Sequence, residues 1–184
     1  MSCPEVRPRS HAVAPLVGLA VVMALDVISS LRSWPIPVGG VLDEPAHLLT
    51  AWLLLGAFAV RSASRVQLWA LAGAVAIDID HVPLYFWGEP VAASGGRPVT
   101  HSLATVAVLL GMATVARLRP AVVGLAVGVL LHMVRDLATG PGVPLLWPLS
   151  GASVEVRYPW YVAVLTIAAA VALRARRRSG VVSG

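Results

Sequence analysis

The sequence contains no lysine: all 14 of its basic residues are arginine, and only nine residues are acidic. Charged residues make up 12% of the 184 positions, against about 25% in a soluble domain. That scarcity excludes an ordinary soluble globular protein, and 58% hydrophobic content points to a membrane instead. A single cysteine, Cys3, excludes an intrachain disulfide and leaves the redox compartment undetermined. The net charge of +5 does not mark a nucleic-acid binder, because the arginines are scattered over segment ends. There is no G-x-S-x-G element, no internal repeat and no long polar insertion.

Six apolar stretches are present, close to residues 12–31, 45–61, 66–86, 99–117, 120–138 and 158–174. A span needs about 20 such residues. The pattern predicts an all-α fold, a polytopic membrane helix bundle of about six transmembrane helices. Residues 1–11 form a cytoplasmic segment, 12–174 the embedded domain and 175–184 a basic tail. Arg7 and Arg9 before the first stretch also fit a signal peptide, but Asp26 inside it favours an uncleaved span. Arginine placement sets the orientation. Arg7, Arg9, Arg61, Arg65, Arg117, Arg119, Arg174, Arg176, Arg177 and Arg178 fall on one side, and Arg32, Arg97, Arg135 and Arg157 on the other. Both termini are therefore expected in the cytoplasm, with the tail "RARRRSG" against anionic membrane lipids.

The few polar residues collect at one depth. At about 1.5 Å per residue from the cytoplasmic arginines, His47, Asp78 and His132 lie roughly 20 Å up. Asp80, His81, His101 and Asp136 follow slightly higher. Asp78 and His81 share a helix face, and so do His132 and Asp136. "DEPAHLL" predicts Asp43 as N-cap with Pro45 in the first turn, and "RPVTHSLA" predicts Thr100 as N-cap. Carboxylates at an outer helix C-terminus oppose the helix dipole and need cations. Arg97 and Arg135 are too few for Asp78, Asp80 and Asp136.

A divalent metal would satisfy the set, with His47, Asp78, His81, His101, His132 and Asp136 as candidate ligands. Imidazole and carboxylate donors suit zinc first, with manganese or iron as alternatives. Asp80 reads as ligand, base or support. Asp80 and Asp136 are candidate catalytic bases, and Arg97 a candidate holder of an anionic group. Asp43 and Glu44 read equally as features of a helix start, and Asp26 as a partner for a neighbouring helix. His11 stands apart from the set.

"AHLL", "DIDHVP", "RPVTHSL" and "LLHMVRDLATGPGVPLLWP", in that order over residues 46–148, resemble the YdjM family. Its members are bacterial inner-membrane proteins described as metal-dependent hydrolases. The resemblance implies a multi-pass location in the cytoplasmic membrane. It also implies motif positions at His47, Asp78, Asp80, His81, Thr100, His101, Ser102, His132, Asp136 and Thr139. One departure stands out. Gly96-Arg97 occupies the place where the family often has His-Arg, leaving Glu44 or Glu89 as replacement donors. The expected function is a membrane metal-dependent hydrolase acting on a lipid or lipid-linked ester or phosphoester. The alternatives are a metal or proton transporter and a noncatalytic protein with a structural metal.

Overall fold

A computed structural model describes residues 13–58, 64–82, 97–115 and 117–181, with backbone alone at 36, 37 and 179–181. Expectations placed on Cys3, Arg7, Arg9, His11, Arg61, Glu89 and Gly96 lie outside these residues. The chain divides into two compact units, residues 1–60 with 164–184, and residues 61–163. The described residues hold six α-helices and no strand, only an isolated bridge between Val143 and Val154. The all-α expectation holds. Among the described residues one helix, over Tyr158–Arg178, is long and apolar enough by length and composition to cross a membrane.

The first unit contains α1 (Ala14–Ser30), α2 (Ile36–Ala57) and most of α6 (Tyr158–Val181). Val22, Leu53, Leu165 and Ala169 are fully buried there. Gly18 of α1 lets the Trp52 ring of α2 lie against the backbone, since a Cβ at Gly18 would sit 2.9 Å from that ring. At the turn after α1, the Trp34 indole donates to the Ile28 carbonyl at 3.0 Å. The Arg32 guanidinium lies 3.9 Å over the Trp34 ring.

The expected start of α2 needs correction. The helix begins at Ile36, with Pro35 as N-cap and a proline in its first turn. Asp43 and Pro45 therefore lie inside it, and Asp43 is no N-cap. A first-turn proline is pre-set for a helix start. Pro45 removes one ladder bond, a loss that membrane helices tolerate.

The second unit contains α3 (Arg65–Ala76), a 3-10 turn (Ile77–Asp80), α4 (Leu103–Met112) and α5 (Arg119–Asp136). The Ser64 hydroxyl caps α3 by accepting from the Gln67 N–H at 3.1 Å. α3 and α5 cross with their backbones in contact. A Cβ at Gly128 would lie 2.2 Å from the Ala70 carbonyl oxygen, and one at Gly124 2.6 Å from that of Val66. The G-x-x-x-G pair of α5 permits this approach together with Gly73 of α3, where a Cβ would lie 2.8 Å from the Leu125 carbonyl oxygen. Val106 of α4 joins Ala126, Val129 and Met133 of α5 and Val143 of the following loop in a buried apolar cluster.

Two further expectations are corrected. The α-helix of the third stretch ends at Ala76, and the chain tightens into 3-10 geometry through Asp78 and Asp80. The fourth starts at Leu103 with Ser102, not Thr100, as N-cap, and spans ten residues. Thr100 is drawn away because its hydroxyl donates to the Asp80 carboxylate. Ten residues rise about 15 Å, half of a hydrocarbon core.

Candidate metal centre

The α3 end, the segment before α4 and the last turn of α5 converge within the second unit. The 3-10 turn after α3 supplies Asp78 and Asp80, and His81 follows directly. The chain entering α4 supplies Arg97, Thr100 and His101. α5 supplies His132 and Asp136 one turn apart. His101 and His132 are fully buried and Asp136 nearly so, whereas the side chains of Asp78, Asp80 and His81 are 15–20% exposed. The cluster thus has a closed floor and a partly open side.

Asp78 Oδ1 lies 3.2 Å from His101 Nε2 and 3.3 Å from His132 Nε2, and the two Nε2 atoms are 3.2 Å apart. The three atoms form a nearly equilateral triangle. Asp136 Oδ2 approaches the same edge, 2.9 Å from His132 Nε2 and 3.4 Å from His101 Nε2. His81 Nδ1 stands on the open side, 3.3 Å from Asp78 Oδ1 and 3.0 Å from Asp80 Oδ1. Asp80 Oδ2 lies 3.2 Å from His101 Nδ1. Asp78, Asp80, His81 and His101 each offer an atom within 4.8 Å of the others and could hold a metal ion.

The fit to a metal is tested by the other nitrogen of each ring. His132 Nδ1 is 2.8 Å from the Ala74 carbonyl oxygen. A carbonyl only accepts, so Nδ1 carries a hydrogen, and in the neutral ring the lone pair is then on Nε2, facing the cluster. Ala74 lies in the last turn of α3, whose carbonyls have no partner within the α-helix. The glycine crossing makes this contact possible, because Gly128 sits one turn before His132 and against Ala74. His101 Nδ1 lies 3.2 Å from Asp80 Oδ2, near the carboxylate but without the hydrogen-bond geometry that His132 has. A ring held from behind by a carbonyl or carboxylate is the usual arrangement of a metal-binding histidine. The donor set fits a divalent ion.

The other expected residues fall as follows. Arg97 is buried and directs Nη1 to Asp136 Oδ2 at 2.7 Å and Nε to the Gly142 carbonyl at 3.0 Å. Its Nη2 reaches the Thr139 carbonyl at 3.4 Å. The Thr139 hydroxyl turns back to the Arg135 carbonyl at 3.1 Å. Ser102 is fully buried, and its hydroxyl has no hydrogen-bond partner among the described residues. His47 belongs to the first unit, where it is fully buried and Nε2 lies 3.4 Å from Asp43 Oδ2. Asp26 is buried on α1, and Glu44 is half-buried on α2.

Sequence reasoning missed Gly73, Gly124, Gly128 and the Ala74 carbonyl. The G-x-x-x-G spacing was the available signal for the crossing; a backbone acceptor leaves none.

An all-helical chain with buried imidazoles and carboxylates able to hold a metal ion defines the class of protein. Residues 42–183 match the family described as YdjM inner membrane protein. The chain belongs to that family. No curated protein and no solved structure matches it.

Proposed function

We propose that the chain is a multi-pass membrane hydrolase that uses a divalent ion held by Asp78, His101 and His132. The triangle of their donor atoms is the observation that carries this reading. Three donors 2.0–2.1 Å from one ion in tetrahedral directions stand about 3.3–3.4 Å apart. The measured edges of 3.2, 3.2 and 3.3 Å fit that requirement. Two imidazoles and one carboxylate suit zinc, with manganese or iron as alternatives. Catalytic zinc sites keep three protein ligands, which favours an enzyme over a structural ion.

When bound, the ion supplies Lewis acidity that polarises the scissile ester and acidifies water. The chain's own groups divide the remaining work. Asp136, beside the two Nε2 atoms, orients the attacking water and accepts its proton. The water oxygen bonds to the carbonyl carbon or phosphorus, and the bond to the leaving oxygen breaks. His81, held between Asp78 and Asp80 on the open side, returns a proton to that oxygen. The apolar composition and the inner-membrane family support a lipid or lipid-linked ester or phosphoester as substrate.

The test is metal analysis of the purified protein together with turnover of phosphoester and lipid-ester panels in detergent. Stoichiometric metal and turnover abolished by a chelator are expected. A protein that takes up no divalent ion would end this reading.

A further inference from the structure

Arg97 has the form of an anion-binding residue, yet all three faces of its guanidinium are engaged by the chain. Nη1 pairs with Asp136, Nε and Nη2 with the carbonyls of Gly142 and Thr139. The turn is built around it. Gly140 has φ +112°, and a Cβ there would lie 2.9 Å from Arg97 Nη2. Gly142 has φ +79°, and a Cβ there would lie 2.6 Å from Glu155 Cγ. Glycine is the residue for such φ values. The bridge between Val143 and Val154, with N–H to carbonyl distances of 3.0 and 2.8 Å, closes the far side of the turn.

Asp136 Oδ2 therefore has two claimants. It stands 2.9 Å from His132 Nε2 and 3.4 Å from His101 Nε2, two of the proposed donors, and 2.7 Å from Arg97 Nη1. A buried arginine is always charged, and its fixed fork holds a carboxylate in one orientation. Its positive charge also opposes a divalent ion nearby.

We propose that Arg97 is a positioning residue that keeps Asp136 from becoming the fourth metal ligand. This inference rests on the metal reading above. With Asp136 held by Arg97, the ion keeps three protein donors and Asp136 remains available to the attacking water. Without Arg97, Asp136 closes the coordination and the site takes the four-ligand form of structural zinc.

The experiment is Co²⁺ titration of the full-length protein in detergent, read by affinity and by the visible absorption of the bound ion. Asp78→Asn is expected to weaken binding about 100-fold and Asp136→Asn by less than about threefold, because only the first removes a ligand. Arg97→Gln is expected to bind Co²⁺ about tenfold more tightly and to shift the absorption toward a four-ligand spectrum. Arg97→Lys, which keeps the charge, is expected to retain the wild-type affinity.

A loss in Asp136→Asn as large as that in Asp78→Asn would overturn the proposal. So would Arg97→Gln binding no more tightly than wild type. Asp136→Asn preserves volume and keeps the test available if Arg97→Gln fails to fold. A wild-type protein that binds no Co²⁺ would instead defeat the metal reading itself.

Discussion

Asp43 with His47 on α2, and His132 with Asp136 on α5, are the same two residue types one helical turn apart. Their surroundings separate them. Asp43 is 44% exposed, whereas Asp136 is 1% exposed and paired with Arg97. His132 has its rear nitrogen fixed on the Ala74 carbonyl and its front nitrogen among Asp78, His101 and Asp136. The α2 pair is joined at 3.4 Å and the α5 pair at 2.9 Å. The α5 pair thus stands among donors brought by other segments of its own unit, Asp78 at 3.3 Å and His101 at 3.2 Å from His132 Nε2.

The two pairs can be set against each other by substitution. His132→Ala should produce the largest effect, a loss of divalent-ion affinity of about 100-fold or more, because it removes a ligand. His47→Ala should cost less than about tenfold, since the proposed triangle is complete without it. Equal losses in the two variants, measured by equilibrium dialysis, would erase the distinction between the pairs.

The helix crossings beneath the two pairs should differ as well. In Gly128→Ala the new methyl meets fixed backbone at 2.2 Å. We expect destabilisation of about 3 kcal/mol and a weakened metal site, because α3 must move away from His132. In Gly18→Ala the obstacle is the edge of the Trp52 ring at 2.9 Å, a side chain able to turn. A cost of about 1 kcal/mol is expected there. Thermal unfolding in detergent reads both, and a reversed order would show that the α3–α5 contact is not the tighter one.

Asp43→Asn should give the smallest effect, within about 0.5 kcal/mol of wild type in stability, because the Asp43 side chain is 44% exposed and an ion pair with one exposed member contributes little. Its metal affinity should change by less than about threefold. A large change in either would give the α2 pair a role its exposure does not suggest.

Much of the site was legible in the sequence because its chemistry is written in residue types. Asp78, Asp80, His81, His101, His132 and Asp136 stand out from an apolar background, where each ionisable group needs a reason. These six gather in the second unit, whereas His47, expected with them, belongs to the first. Helix ends were less legible. Pro45 and Asp43 imitate a start, but Pro35 and a first-turn proline begin α2 earlier. Thr100 has the form of an N-cap, but a carboxylate distant in sequence takes its hydroxyl. In each case a local signal lost to another proline or to a tertiary partner.

Sequence alone determined the all-α class, the family and the candidate donors, because apolar runs and ionisable residues are local properties of the chain. Tertiary structure decided which donors form the triangle, which ring nitrogen carries the hydrogen, and that Arg97 faces Asp136. Those outcomes depend on distances of about 3 Å between segments far apart in sequence, which the glycine crossing of α3 and α5 and the turn around Arg97 set.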